Sequence, residues 1–310
     1  MKTLKSFLET EMDRLINLQQ HPDGTQYLPS GFKSLDIAIN GFQPKQLYLL
    51  ASKPEVGKTA LLLNILMHIT LRIPKPARAL FISPDVSGSE VAQRILSSYS
   101  SVEMSKIFEG VLEPQVLEKL YVKADQLKDL SNNLLIEDYP VCSIPQIRTL
   151  LEQLEEKPAI LVIDNFSRLT LPDIFDEQTA STILMEQLKQ LAVDFAIPVL
   201  VSAEIHLGDD ELSIQLPSLR SLRENNIMVH VVDVVLFLIR PEYYEINNAD
   251  DLNDDDDDDD DDSDSEEDKE IIPIGFGEAH LRIALNRFGP LDTVRLRCDL
   301  ARQLFYETAQ

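Results

Sequence analysis

Apolar residues along this chain fall into two alternating patterns. Short unbroken runs of four to eight read as buried strands, and longer stretches with apolar positions three and four apart read as helices. QLYLLAS (46–52), RALFISPD (78–85), NNLLIEDY (132–139), PAILVIDN (158–165), IPVLVSAE (197–204) and HVVDVVLFLIR (230–240) are the strand runs. Between them, TALLLNILMHITLRI (59–73), the stretch opening at Ser87, IPQIRTLLEQLEE (144–156) and ASTILMEQLKQLAVDFA (180–196) carry helical spacing, with Ser87 placed to cap its helix. Strands that are apolar on both faces and alternate with helices predict an α/β fold, a mostly parallel sheet covered on both sides. HLRIALNR (280–287) and DTVRLRCD (292–299), joined through Phe288-Gly289-Pro290-Leu291, predict a closing antiparallel pair. At the other end, Leu4, Leu8, Met12, Leu15 and Ile16 share one face of a predicted helix over 2–20, ended by His21-Pro22-Asp23-Gly24. So short a helix buries little by itself and needs a partner surface. The expected division is a linker-type helix and turn over 1–24 and one domain over 25–310.

Charge alters this picture in one place. Of 310 residues, 53 are acidic and 28 basic, a formal net charge of −25. Residues 250–270 hold 16 acids, nine of them the unbroken run Asp254–Asp262, against the single base Lys269, a net of −15. The remaining 37 acids and 27 bases leave the body at −10. Like charges at every position repel and cannot pack, so about 247–272 is expected to be a disordered acidic insert in the connection between strands 230–240 and 280–287. A tolerated surface insertion is the plain reading; cation binding, or engagement of a basic partner, are the sharper ones. With 44% hydrophobic residues the chain can bury a core. No window of 18 uncharged apolar residues is present, so no membrane span is expected. The N-terminus carries acids where a secretory signal is apolar, which predicts a cytoplasmic protein. Cys142 and Cys298 form no metal or redox spacing and are expected to be buried reduced thiols. The acidic balance argues against simple coating of nucleic acid, though not against a locally basic channel.

The sharpest chemical signal is Ser52-Lys53-Pro54-Glu55-Val56-Gly57-Lys58-Thr59, set between a strand and a helix. That context suits a phosphate-binding loop. Gly57 lets the backbone turn so that successive N–H groups, through Ala60, face phosphate, and the helix N-terminus adds its dipole. Lys58 supplies a point charge for the outer phosphates and Thr59 a hydroxyl for Mg2+. The usual first glycine is Ser52 here. Asp164, closing the apolar run ILVID, is the candidate acid that supports the metal, against the plainer possibility of a strand-end aspartate capping a loop.

These residues resemble the C-terminal ATPase domain of DnaB-type replicative helicases, over about Leu28 to Tyr306. LPSGFKSLDIAINGFQPKQLYLLASKPEVGKTALLLN is similar to the opening of that family, FISPDVSGSEVAQRILSS to the stretch with its catalytic acid, and LVIDNFSRL to its metal-binding strand. LKQLA with IPVLVSAE, SLRENN with Asp233, and LNRFGPLDTVRL are similar to its later segments. The resemblance implies a RecA-like P-loop fold, ATP and Mg2+ as ligands, hydrolysis between subunits of a homo-oligomer (a hexameric ring in the family) and movement on single-stranded DNA. It places Asp85 on the acid that polarises the attacking water and Glu204 on the sensor of the γ-phosphate. Arg287 falls on the finger that reaches a neighbour's ATP, and Arg223, Glu224 and Asn226 on a DNA-contacting loop. Residues 1–20 resemble the linker helix that packs on the neighbouring subunit. The family's globular N-terminal domain, which meets primase, has no counterpart in these residues, which leaves contact with primase open.

Several positions depart from the family. Asp85 stands for a glutamate and reaches roughly 1.5 Å less, one C–C bond. Glu204 stands for a glutamine, Leu285 for a lysine and Asn226 for a glycine, and GDDELSIQLP (208–217) is acidic where the family is basic. The expectation is a helicase-type ATPase with weakened turnover and weak, salt-sensitive DNA binding. The alternatives are a catalytically impaired ATP-binding regulator that partners a full-length helicase, and a recombination ATPase of the RecA class.

Overall fold

The computed structural model describes residues 3–20, 27–138, 142–171, 176–207, 216–243 and 277–307. The acidic insert expected at about 247–272 and most of the acidic loop 208–217 lie outside the described residues.

Among the described residues the eight predicted strand runs form one nine-stranded sheet with a short strand that the sequence did not announce, Leu304–Tyr306. In chain order its members are β1 (Leu47–Ser52), β2 (Ala79–Ile82), β3 (Leu134–Glu137), β5 (Ile160–Ile163), β7 (Val199–Glu204), β8 (Val234–Ile239), β9 (Glu278–Asn286), β10 (Asp292–Asp299) and β11 (Leu304–Tyr306). Across the sheet the order is β11-β10-β9-β8-β1-β7-β5-β2-β3. From β8 to β3 every pairing is parallel, and β9, β10 and β11 close the edge antiparallel. A second, two-stranded sheet pairs β4 (Cys142–Ser143) with β6 (Leu169–Thr170). This is the predicted fold class.

β1, β2, β5, β7 and β8 are buried along almost their whole length because helices cover both faces. One core lies under α2 (Lys33–Ile39), α3 (Lys58–Met67) and α4 (Gly88–Ser100), with Tyr48, Leu50, Phe81 and Val162 pointing into it. The opposite core lies under α7 (Ile144–Gln153) and α8 (Glu177–Phe195), with Leu49, Leu80, Leu161 and Val201 pointing the other way. Successive strand residues thus feed opposite cores, as the two-residue pleat requires. Cys142 and Cys298 are buried free thiols.

The helices begin where capping chemistry allows. The Ser87 side chain accepts the Glu90 N–H at 3.2 Å and starts α4. Asp176 accepts the Thr179 N–H at 2.7 Å and starts α8 three residues before the apolar pattern does. The predicted helix 59–73 is α3 continued by a π-helical turn, His68–Arg72. The apolar pattern gave no counterpart for α2, nor for α5 (Met104–Glu109), α6 (Pro114–Leu130) and α9 (Leu219–Glu224).

α1 (Leu4–Gln20) is helical as the spacing predicted. Its stripe of Leu4, Leu8, Met12, Leu15 and Ile16 is 45–73% exposed, so nothing described in this chain covers it. Among the described residues no helix is long and apolar enough to cross a membrane.

Candidate active site

The site forms along the carboxyl ends of four neighbouring parallel strands, β1, β7, β5 and β2, where open α/β sheets place their ligand crevice. β1 ends at Ser52, and the loop behind it turns through Glu55 and Gly57, both with positive φ (63° and 107°), into α3. A Cβ at Gly57 would lie 3.1–3.2 Å from Leu300 and Phe305, so backbone conformation and close packing both call for glycine there. The side chain of Ser52, the residue in the first-glycine place, is used within the loop. Its hydroxyl donates to the Lys53 carbonyl at 2.7 Å and accepts from Lys58 Nζ at 3.1 Å. Lys58 Nζ also donates to the Lys53 carbonyl at 3.1 Å.

β7 lies between β1 and β5 in the sheet. Its last residue, Glu204, therefore sits between the loop and the end of β5, with Oε1 3.5 Å from Lys58 Nζ. One strand further, Asp164 follows β5. Its Oδ2 accepts the Thr59 hydroxyl at 2.6 Å, and its Oδ1 accepts the hydroxyl of Ser202 from β7. Beyond it Asp85, past the end of β2, accepts from Asn165 Nδ2 at 2.6 Å and from Arg168 Nε. Gly57, Lys58, Thr59, Ala60, Asp85, Asp164 and Glu204 line one cavity of about 530 Å³, which Arg94, Arg168, Leu300 and Gln303 help to enclose.

Burial dominates the electrostatics. Asp164 is 4% exposed, and desolvation pushes its carboxyl above the usual carboxylate range. The Ser202 and Thr59 hydrogen bonds and the charge of Lys58 pull the other way. Burial lowers the Lys58 ammonium below the ordinary lysine value, opposed by Glu204 and Asp164. Each charge is thus desolvated and only partly compensated by its neighbour, so phosphate beside Lys58 or a cation beside Asp164 would offset the cost that remains.

The donor set suits a hard cation held jointly with phosphate. A buried carboxylate and a hydroxyl meet at 2.6 Å on the cavity wall, and the carboxylate carries a desolvation cost that a divalent cation would offset. Among the described residues no cluster of three or more His, Cys, Asp or Glu side chains could cage a metal. Mg2+ commonly takes one or two carboxylates and completes its shell with phosphate and water, which fits this pair.

Of the candidate residues, those from Ser52 to Ala60, with Asp85, Asp164 and Glu204, are brought to this end of the sheet. Arg287 is not. It follows β9, whose Asn286 pairs with Val234 at the start of β8, next to the start of β1. The six residues of β1 put about 17 Å of strand between that end and the phosphate-type loop. There the Arg287 guanidinium donates to the carbonyls of Val232 at 3.0 Å and His230 at 2.5 Å. Asp233 anchors the same corner: buried, it accepts the Leu47 N–H at 2.8 Å and pairs with Lys189.

Arg223 and Glu224 are exposed on α9, with Glu224 accepting from Arg220 at 2.8 Å. Asn226 has φ 56°, the left-handed region that glycine favours and asparagine tolerates, and its amide donates to Glu177 at 3.0 Å. Arg168, Asn165, Ser202, Arg94 and Gln303 were not found from the sequence. Asn165 and Arg168 stand beside Asp164 in the chain, but no local pattern announces that they face Asp85.

A family profile, that of the DnaB-like helicase C terminal domain, matches residues 27–307. The "Probable replicative DNA helicase" of Trieres chinensis is 30% identical over 286 residues, which are 90% of this chain and 57% of that protein. "Replicative DNA helicase DnaB" of Geobacillus stearothermophilus is 26% identical over 299 residues, 95% of this chain and 60% of that one. The chain thus spans somewhat more than half the length of these relatives. Among solved structures, an isolated ATPase domain superposes with a TM-score of 0.78 at 20% identity, each chain covered in full. A DnaB-like replicative helicase, described with its interactions with primase, superposes at 0.75 and 20% identity over all of this chain and 68% of that one. With nearly the whole chain matched by one profile, this protein belongs to the DnaB-like helicase C terminal domain family.

Proposed function

We propose that this chain is the ATP-hydrolysing motor of a DnaB-class replicative helicase, coupling hydrolysis between copies of itself to movement along single-stranded DNA. The observation that carries this reading is the meeting of Lys58, Thr59 and Asp164 on one cavity behind the β1 loop. Backbone N–H groups of Lys53 and of Glu55 to Ala60, with the α3 N-terminus, would hold the phosphates, with Lys58 Nζ as the point charge. Thr59 and Asp164 would hold Mg2+, which when bound supplies positive charge against the charge that builds on the transferred phosphoryl group. Asp85 would orient the attacking water. Arg287, at the far end of its own sheet, would act on the nucleotide of a neighbouring copy in an oligomer, a hexameric ring in the reading proposed here. Arg223 and Asn226 would face DNA, with Glu224 tempering the local charge through Arg220. A protein acting on replicating DNA in this way would work in the cytoplasm.

A second reading has its own observation. Lys58 rests on Glu204, and Asp85 is ion-paired to Arg168, so two groups that a motor needs for phosphate and water already have partners. An ATP-binding regulator or helicase partner with little turnover would share this geometry. Steady-state ATP hydrolysis with and without single-stranded DNA decides between them. The motor reading expects DNA-stimulated turnover that Lys58→Ala abolishes. Nucleotide binding without turnover under either condition leaves the regulator.

A further inference from the structure

Arg168 reaches the cavity through the turn that places Asp164. β5 ends at Ile163, Asp164 follows, and the short 3-10 turn Phe166–Arg168 brings the arginine round to the cavity wall. The Asn165 side chain caps that turn by accepting the Ser167 N–H at 2.9 Å. Because β2 lies beside β5, Asp85 meets this turn, and Asn165 and Arg168 occupy one oxygen each of its carboxylate.

The position of Arg168 in the sheet order matters. Lys58 and the loop stand behind β1, while Asp164 and Arg168 stand behind β5, two strands away, about 10 Å at ordinary strand spacing. A polyphosphate anchored on the loop and running along the strand ends brings its outermost group toward Arg168. The Arg168 side chain is 56% exposed, so it can turn without unpacking the core. Its planar fork suits phosphate oxygens, and a terminal phosphate carries more charge than a carboxylate.

We propose that Arg168 is a phosphate ligand acting within its own chain, one that gives up Asp85 for the terminal phosphate of a nucleoside triphosphate and so frees Asp85 to face water. This rests on the ATP-site reading above and adds to it a group that distinguishes triphosphate from diphosphate. The exchange means that Asp85 and the terminal phosphate compete for one cation. Removing the charge of Asp85 should therefore strengthen triphosphate binding, and the part of that gain that comes from freeing Arg168 should disappear when Arg168 is also alanine, whereas a gain from lost repulsion alone would persist there.

Calorimetric titration of the full chain with a non-hydrolysable ATP analogue and with ADP tests this. Arg168→Ala should bind the analogue at least about tenfold more weakly, near the lower end of what a charged hydrogen bond contributes. ADP affinity should stay within about twofold, which also reports that the variant is folded. Asp85→Asn should bind the analogue several-fold more tightly than the wild type. Equal analogue affinity in Arg168→Ala and wild type, an equal loss for both nucleotides, or no gain in Asp85→Asn overturns the proposal. Lys58→Ala separates the two levels. If it binds both nucleotides as well as the wild type does, the ATP-site reading itself is wrong and Arg168 falls with it; if it loses both while Arg168→Ala behaves as wild type, only the assignment of Arg168 fails.

Discussion

Glu204 Oε1 lies 3.5 Å from Lys58 Nζ, across the strand boundary between β7 and β1. The pair exists because Ser52 and Glu204 are register partners at the carboxyl ends of two parallel strands, and Lys58 folds back over Ser52. A carboxylate there compensates a lysine that is 6% exposed, but it also stands where phosphate oxygens would come.

Glu204→Gln therefore moves two quantities in opposite directions. Without nucleotide the variant loses a partly exposed ion pair, a cost of up to about 1 kcal/mol, seen as a lower urea midpoint. With nucleotide, Lys58 no longer has to leave a carboxylate, and repulsion between Glu204 and the phosphates is gone. ATP-analogue affinity should rise by roughly tenfold, about 1.4 kcal/mol. Weaker analogue binding in calorimetry would mean that Glu204 contacts the nucleotide favourably.

Arg287 is held at the opposite end of the sheet from the cavity of its own chain, by the carbonyls of Val232 and His230. Arg287→Ala should keep nucleotide affinity within about twofold and lower turnover by roughly 10³-fold, the scale of an arginine supplied between subunits. Mixing Arg287→Ala with Lys58→Ala chains should restore part of the turnover. A mixed interface whose loop comes from the Arg287→Ala chain and whose arginine comes from the Lys58→Ala chain is intact, while the reverse order lacks both groups. Turnover that stays at the level of the two separate variants argues for action within one chain.

Leu8 and Met12 stand on the uncovered stripe of α1, each 55% exposed. Replacing both by Glu removes no contact in the described chain, so the unfolding free energy of the monomer should change little, within about 0.5 kcal/mol. If that stripe packs on another copy, the variant should be smaller than the wild type in sedimentation at the same concentration. An unchanged mass places the oligomer contact elsewhere.

Asp36 ties the turn before α2, accepting the Ser30 N–H at 2.7 Å. Burial raises its carboxyl above the usual range; the hydrogen bonds from Ser30 and Gly31 oppose this and the nearby Glu307 adds to it. The native state thus keeps this proton at a pH where the unfolded chain has released it. Its contribution to stability is largest at low pH and falls as pH rises from the ordinary carboxylate range through the raised value. Asp36→Asn keeps an oxygen for the Ser30 N–H and removes the ionisation. Urea midpoints measured at several pH values should show the variant gaining on the wild type as pH rises to neutrality. Parallel curves would assign that pH dependence to other groups.

The strands and the phosphate-type loop were legible because their signals are local. An unbroken apolar run marks a strand covered on both sides, and β1, β5, β7 and β8 appear where those runs stand. α6 has an inward face of Val116, Leu120, Ala124 and Leu127, but the apolar residues Leu117, Tyr121 and Val122 on its exposed sides blur that pattern in the sequence. α2 was missed because seven residues are too few for a periodic pattern. Its first N–H groups, at Lys33 and Ser34, are satisfied by the Glu307 carboxylate at 2.9 and 2.7 Å, from the far end of the chain.

By itself the sequence determined which residues lie in most of the strands and the longer helices, which faces are buried, and that Gly57, Lys58 and Thr59 stand between a strand and a helix. Periodicity and backbone restriction act over a few residues and are written locally. Tertiary structure alone decided which strand lies beside which. Crossover connections put β7 between β1 and β5, and β2 beyond β5, in an order the chain does not follow. That order sets Glu204 against Lys58, Ser202 and Thr59 against Asp164, and Arg168 against Asp85. It also carries Arg287 to the other end of the sheet, because β9 runs back antiparallel to β8. The charges of the cavity are set by contacts between residues up to 209 positions apart, and no local pattern encodes them.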